Sequence, residues 1–151
     1  MHDDPLRLLI VEARGDVALA DTLLAAAKAA LEKARVTFDV VTVPGALEIP
    51  AVVAMAEEGG HRPAGVRYDG FVALGCVISG ESLHYGIAVG EVARALNDLA
   101  IGRRLAIGNG VLAVENTREA MAFAEAGAGG AAARACLAVV AIKRKLLGQA
   151  R

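Results

Sequence analysis

The stretch FVALGCVISGESLHYGIA, residues 71–88, carries the main fold signal of the chain. Its apolar run ends abruptly at Ser79 and Gly80, and apolar residues at helical spacing resume after His84. A short apolar run bounded by turn residues is typical of a strand buried on both faces of a parallel sheet. Ligands bind beyond the carboxyl ends of such strands. The stretch therefore predicts a buried strand, a turn that forms a ligand site, and a following helix.

The same alternation continues through the rest of the chain. Apolar runs predict strands, and Ala-, Leu- and Lys-rich segments predict helices, with Asp16 as the cap of the first helix. Strands are predicted at 6–11, 38–43, 68–78 and 104–114, and helices at 49–59, 84–99, 117–125, 134–147 and 17–35. The glycines of AGAGGAAA, 126–133, are expected to weaken a helix, so the last helix is predicted to begin after them. This order predicts a single domain, 1–151, of the α/β class, with helices on both faces of a four-stranded parallel sheet.

Composition narrows the range of functions. The chain has 151 residues, 56% of them apolar, and a formal net charge of −1. Its mean hydropathy of +0.48 is high, yet no apolar run reaches the roughly 18 residues of a membrane span. We therefore expect buried subunit contacts in a homo-oligomer, although an alanine-rich monomer is the alternative. The near-neutral charge, without an aromatic and basic surface, argues against nucleic acid or a membrane as a partner.

Cysteine usage and the N-terminus predict a cytoplasmic protein. Cys76 and Cys136 lie in apolar surroundings without metal-binding spacing, so both are expected to be buried free thiols. MHDDPLR is acidic and precedes only a short apolar run, unlike a secretory signal. No cluster of acidic, histidine and cysteine residues suggests a metal, and neither glycine-rich nucleotide fingerprint is present.

Four turns follow predicted strands: EARGD, PGALE, SGES and ENT. The SGES turn, 79–82, precedes a helix, where exposed N–H groups bind anions and Gly80 permits close approach. The alternative is an ordinary helix cap formed by Ser79 or Ser82, with Glu81 complementing the helix dipole.

Three other polar residues are candidates for chemistry. His84 follows the strand end and has a pKa range suited to proton transfer, although an isolated histidine is often only a surface or core residue. Glu48 is placed to accept hydrogen bonds from a polyol or an amine, or it is simply an acid at a helix start. Asn109 interrupts an apolar strand, so it either contacts a polar ring edge or braces a loop.

Three segments together resemble one family, 6,7-dimethyl-8-ribityllumazine synthase. They are VPGALEIP at 43–50, ALGCVISGESLH at 73–84 and GVLAVEN at 110–116. Their order and spacing also match, and the likeness runs from RLLIVEAR at 7–14 to the last helix. The resemblance implies a flavodoxin-like three-layer α/β/α sandwich that assembles as a homopentamer, with decamers or sixty-subunit shells in some members.

The resemblance also implies the penultimate step of riboflavin synthesis, which needs no cofactor. There, 5-amino-6-(D-ribitylamino)uracil condenses with 3,4-dihydroxy-2-butanone 4-phosphate: an imine forms, phosphate leaves and the ring closes. Glu48 and the backbone of Ala46 and Leu47 are then expected to hold the ribityl chain. Val77 and Ile78 are expected to contact the pyrimidine.

The same likeness assigns the remaining site residues. His84 is expected to be the acid and base of the reaction. Asn109 is expected to reach the pyrimidine from an adjacent subunit. Gly80, Glu81 and Ser82 are expected to cradle the phosphate through backbone N–H groups and the serine hydroxyl.

This sequence departs from the family pattern at the expected pocket. Gly15 stands where the family carries an aromatic residue that stacks on the pyrimidine, and Ser79 stands where arginine is usual. Residues 119–133 contain no Lys or Arg, although the family supplies phosphate-binding cations there. Stacking contributes about 0.5–1.5 kcal/mol, and removing one partner of a desolvated charge pair costs about 2–5 kcal/mol. The departures predict weak substrate binding and slow turnover.

Three explanations of these departures remain open on sequence alone. The chain is an active synthase with a different source of charge, such as Arg14, Arg134 or a neighbouring subunit. Alternatively, it is a family member that lost catalysis and kept a role as an assembling scaffold. A third explanation is a designed variant, which the small residues of 126–133 favour somewhat. A rival class, the response receivers, requires an Asp after the third strand, where this chain has Ser79.

Overall fold

The computed structural model describes residues 5–80 and 85–148. Within them, four strands form one parallel sheet in the order β2-β1-β3-β4. The strands are β1 (Arg7–Ala13), β2 (Thr37–Val43), β3 (Gly70–Ile78) and β4 (Ile107–Val114). All four predicted strands are present, and the change of direction in strand order lies between β1 and β3. In such sheets ligands bind at that change of direction, beyond the carboxyl ends of the strands.

Five helices connect and cover the strands in the described residues. They are α1 (Val17–Lys33), α2 (Ile49–Gly59), α3 (Tyr85–Arg103), α4 (Thr117–Glu125) and α5 (Ala128–Leu147). Asp16 caps α1 as predicted, because its carboxylate accepts a hydrogen bond of 2.9 Å from the backbone N–H of Leu19. A single 3-10 turn, Ala46–Glu48, leads into α2.

The sheet separates two apolar cores, as a three-layer sandwich requires. Leu8 and Ile10 of β1 pack on one face with α1, α4 and α5, whereas Leu9 and Val11 pack on the other with α2 and α3. This alternation follows from the two-residue period of side chains along a strand. The predicted flavodoxin-like α/β/α architecture is confirmed.

The prediction that the final helix starts at 134 is wrong, because α5 begins at Ala128. Its glycines lower the intrinsic helix propensity of the segment, but they also let α5 approach its neighbours closely. A Cβ atom on Gly129 would lie 2.0 Å from the carbonyl oxygen of Leu23 in α1. On the sheet side, a Cβ atom on Gly108 of β4 would lie 1.9 Å from the carbonyl oxygen of Ala132. The small residues of 126–133 therefore form a packing seam, which removes the observation that favoured a designed variant.

A polar network joins the amino ends of β1 and β2. Asp39 accepts two hydrogen bonds from the Arg7 guanidinium, at 3.1 and 3.2 Å, and one of 2.7 Å from the Tyr68 hydroxyl. The hydrogen bond from Tyr68, followed by that from Arg7, lowers the pKa of Asp39. Burial, followed by the bond to Asp39, raises the pKa of Tyr68. This network lies at the end of the sheet opposite the predicted ligand site.

No single helix in the described part of the chain is long and apolar enough to cross a membrane. The bent pair α4 and α5 passes that test together, on length and composition only.

Candidate active site

An open cavity of about 550 Å³ lies where the carboxyl ends of β1, β2 and β3 meet. Its size is within the usual range for small-molecule sites. The turns after the three strands form its walls, and the first half of α1 closes one side. The lining residues are Ala13, Arg14, Gly15, Asp16, Leu19, Ala20, Leu23, Pro44, Gly45, Ala46, Leu47, Glu48, Gly75, Cys76, Val77, Ile78, Ala88 and Thr117.

The turn after β1 forms the first wall and contains the cap of α1. Arg14, Gly15 and Asp16 all line the cavity there. A Cβ atom on Gly15 would meet no heavy atom within 4 Å, so the space beside this residue is open. At the position where the family pattern has an aromatic residue, no side chain of this chain therefore fills the space.

The turn after β2 forms the second wall. It brings Ala46, Leu47 and Glu48 to the cavity, as predicted for the residues that hold the ribityl chain. The Glu48 side chain makes no capping hydrogen bond to α2. Glu48 nevertheless stands at the start of α2, so both interpretations of this residue, a hydrogen-bond acceptor for a ligand and an acid at a helix start, stay predictions.

The last residues of β3 form the floor. Val77 and Ile78 line the cavity as predicted. Cys76 lies beside them and is only half-buried, so the prediction that both thiols are buried is wrong for Cys76. Cys136 is buried in the core under α5, and burial raises the pKa of its thiol to about 12. Cys76 lies near the carboxyl end of β3, at the cavity, whereas Cys136 belongs to α5 and lies in the core.

The turn after β3 is described only in part. The Ser79 backbone N–H donates a hydrogen bond of 2.9 Å to the Val114 carbonyl, which ties this turn to the end of β4. Gly80 is exposed next to it. The other predicted residues of this turn, Glu81, Ser82 and His84, lie outside the described residues.

Asn109 lies apart from the cavity in this chain. It is exposed on β4, and its Oδ1 accepts a hydrogen bond of 3.0 Å from the Val111 backbone N–H. The side chain is exposed and braces its own backbone within β4. Asn109 therefore does not line the cavity of its own chain.

A second polar network lies beneath the cavity, and sequence reasoning missed it. Glu12 Oε2 accepts hydrogen bonds of 2.9 Å from Arg14 Nε and 2.6 Å from the Thr42 hydroxyl. A second nitrogen of Arg14 lies 2.8 Å from Asp21 Oδ1. These bonds to Glu12 and Asp21 raise the pKa of Arg14. The only signal in the sequence was that Glu12 and Arg14 belong to a turn after a strand.

Within the described ranges, no group of three or more His, Cys, Asp or Glu side chains is arranged to hold a metal ion. The cavity instead combines backbone groups with one cation, Arg14, and two carboxylates, Asp16 and Glu48. These groups lie above an apolar floor. Such a surface positions a polar small molecule by hydrogen bonds.

Comparison with known proteins gives a consistent result. The family model described as 6,7-dimethyl-8-ribityllumazine synthase matches residues 5–144. A relative from Agrobacterium fabrum with that name is 54% identical over 144 residues, which is 93% of this chain and 97% of the relative. A relative from Rhizobium meliloti, 6,7-dimethyl-8-ribityllumazine synthase 1, is 53% identical over 145 residues, 94% of each chain. The 6,7-dimethyl-8-ribityllumazine synthase of Methylobacterium radiotolerans is 53% identical over 141 residues, 91% of this chain and 82% of the relative.

These matches cover every strand and every cavity wall described above, and they agree with the three segments that first suggested a resemblance. The chain belongs to the 6,7-dimethyl-8-ribityllumazine synthase family.

Proposed function

We propose that this chain condenses 5-amino-6-(D-ribitylamino)uracil with 3,4-dihydroxy-2-butanone 4-phosphate to form 6,7-dimethyl-8-ribityllumazine. The main supporting observation is that the turn after β2 and the end of β3 line one cavity, through Ala46, Leu47, Glu48, Val77 and Ile78. An enzyme of this kind works chiefly by holding two reactants together and moving protons between them. No cofactor enters the proposed reaction.

In this proposal, the ribityl chain lies against the second wall. The Glu48 carboxylate accepts hydrogen bonds from some ribityl hydroxyls. The backbone of Ala46 and Leu47 forms hydrogen bonds with the remaining hydroxyls. The pyrimidine lies over Val77 and Ile78 at the end of β3. The support for this orientation is that Glu48 makes no capping bond to α2, while Val77 and Ile78 supply an apolar surface beside it.

The phosphate and the proton transfers belong to the turn after β3. Gly80, Glu81 and Ser82 are proposed to bind the phosphate through backbone N–H groups and the serine hydroxyl. His84 is proposed to act as the acid and base during imine formation, loss of phosphate and ring closure. The exposure of Gly80 beside the carboxyl end of β3 is consistent with this role.

Turnover is proposed to be lower than in relatives that carry the full family pattern. Arg14 is the only Lys, Arg or His side chain among the described residues that line the cavity, and Glu12 and Asp21 already engage it. Gly15 leaves its side of the cavity open. The substrate phosphate therefore finds less positive charge, and the pyrimidine finds no stacking ring on this wall.

A homo-oligomer, a pentamer or a multiple of it, is part of the proposal. Several large apolar side chains are exposed in the single chain, including Met55, Ile87 and Ile101, each more than 60% exposed. Asn109 is exposed as well and is proposed to reach the pyrimidine of an adjacent subunit. A cytoplasmic location is also proposed, because Cys76 and Cys136 form no disulfide, as is usual in a reducing compartment.

Light scattering at micromolar protein concentration tests the assembly. We expect a mass of five chains or a multiple of five. A stable monomer would contradict the proposed contribution of Asn109 to a neighbouring site.

A steady-state assay that follows the absorbance of the lumazine product tests the reaction. We expect product formation that requires both substrates and the assembled protein. A second assay with Glu48→Gln is expected to raise KM for the pyrimidine substrate, because the neutral amide is a weaker acceptor for ribityl hydroxyls than the carboxylate. Unchanged KM in this variant would remove Glu48 from the ribityl site.

A further inference from the structure

We propose that Glu12 is a positioning residue that holds the first and second walls of the cavity in register. This inference rests on the proposed function, because its effect is read at the pyrimidine site. Glu12 is 3% exposed and is the only buried charged or polar residue identified in the described part of the chain. It does not line the cavity, so it acts through the groups that it holds.

The hydrogen bonds of Glu12 connect the two walls directly. Its Oε2 accepts from Arg14, which lines the first wall, and from Thr42, which precedes the second wall by two residues. Glu12 and Thr42 are also partners in the register of β1 and β2. A displacement of either strand end therefore breaks a hydrogen bond to the same oxygen atom.

The unequal use of the two carboxylate oxygens supports a geometric role. Oε2 takes both hydrogen bonds, whereas Oε1 is buried and has no partner among the described residues. Buried polar atoms in proteins are normally paired. Both hydrogen bonds of Glu12 go to side chains at the two strand ends, Arg14 after β1 and Thr42 in β2, which is the arrangement expected of a residue that positions them.

The second partner of Arg14 contributes less to this positioning. The Asp21 side chain is 64% exposed, whereas that of Glu12 is 5% exposed. Contacts between exposed charges are weakened by solvent. The orientation of the first wall therefore depends mainly on Glu12.

Glu12→Gln tests the inference with little change of shape. We expect kcat/KM for the pyrimidine substrate to fall on the order of 10- to 100-fold, as for small misplacements of binding groups. The loss should appear mainly in KM, because the walls bind the substrate and do not themselves transfer protons. Asp39→Asn is the matched control: Asp39 also holds an arginine and a hydroxyl, but at the opposite end of the sheet. It is expected to lower stability and leave KM unchanged.

Substitution of Thr42 gives a second test, in which the Glu12 side chain itself stays in place. Thr42 is an exposed residue of the edge strand, so its variants are expected to fold. Thr42→Val removes the hydroxyl and should raise KM for the pyrimidine substrate. Thr42→Ser retains the hydroxyl and should have the KM of the wild type. Equal KM values in the wild type, Glu12→Gln and Thr42→Val would overturn the inference.

Hydrogen exchange separates failure of this inference from failure of the proposed function. In Glu12→Gln, backbone N–H groups of residues 14–16 and 45–48 should exchange faster than in the wild type, and in Asp39→Asn they should not. This readout applies even if the wild-type protein forms no lumazine, which would count against the proposed function alone. Unchanged exchange in both segments of Glu12→Gln would overturn the positioning role.

Discussion

Gly15 shows how one residue changes the chemistry of a wall without changing its backbone. Its neighbours Arg14 and Asp16 keep their roles in the network and in the cap of α1. The space beside Gly15 is empty, and its backbone does not require the positive φ that only glycine adopts easily. A Cβ atom therefore fits at this position without backbone strain.

We predict that Gly15→Phe raises kcat/KM for the pyrimidine substrate about 2- to 10-fold, which corresponds to the usual worth of an aromatic stacking contact. Gly15→Ala is the matched control, since it adds a Cβ atom but no ring, and it is expected to leave kcat/KM unchanged. Steady-state kinetics of the three proteins measure the difference. An equal gain in both variants would assign the effect to backbone stiffening instead of stacking.

At the same scale, sequence reasoning identified the residues whose position follows from local pattern. Asp16 was predicted as a helix cap, and Glu48 as a polar residue of the turn after the second strand, because strand ends and helix starts are visible in the sequence. Val77 and Ile78 were predicted at the site only through the family resemblance. Glu12 was not predicted as part of a network. Its partner Thr42 lies 30 residues away, and only the register of β1 against β2 brings them together.

Among the elements, α5 illustrates a tertiary contact that overrides helix propensity. Glycine weakens an isolated helix by roughly 0.5–1 kcal/mol relative to alanine. In α5, however, Gly129 contacts the backbone of Leu23 so closely that no side chain fits. The sequence shows the low propensity of the segment but not the approach of α1, so the start of α5 could not be predicted.

We predict that Gly129→Ala lowers the free energy of unfolding by about 1–3 kcal/mol, the usual cost of overpacking a tight contact. Because Leu23 also lines the cavity, the same variant should weaken substrate binding. Gly102→Ala in α3 is the control, since its Cβ atom would meet nothing within 4 Å, and it is expected to be neutral or slightly stabilising. Urea denaturation measures the free energy of unfolding of both variants. Equal stability of Gly129→Ala and Gly102→Ala would contradict the close packing of α5 against α1.

The amino-end network links β1, β2 and the segment before β3, and it predicts a dependence of stability on acid. The folded-state pKa of Asp39 is lowered by Tyr68 and Arg7. Its contribution is therefore fully present above the unfolded pKa of about 3.9 and is lost as pH falls through the lower folded value. Asp39→Asn should be less stable than the wild type at pH 6, and the difference should shrink below about pH 4.

Urea denaturation at pH 6, 5, 4 and 3 measures this difference. Asp98→Asn, at an exposed surface pair with Arg94, serves as the control and should show little difference at any pH. A difference in the free energy of unfolding between Asp39→Asn and the wild type that stays constant down to pH 3 would contradict the assigned network.

For the whole molecule, the order of strands and helices was predictable because each element has its own sequence period. The four strands, the two-sided covering by helices and the family all followed from pattern and motif. The shape of the cavity did not follow, because it depends on empty space beside Gly15 and on close packing of α5 against α1. The family fold is thus present in residues 5–80 and 85–148, and Arg14 is the one cation among the described residues that line the cavity.

We propose that this chain is a lumazine synthase whose cavity binds its substrates weakly. The most direct measurement is steady-state lumazine formation by the purified, assembled protein, run beside the relative from Agrobacterium fabrum. We predict that both proteins form the product and that this chain has the lower kcat/KM. Absence of product from correctly assembled protein would contradict the function, and kcat/KM equal to that of the relative would contradict the weakened site.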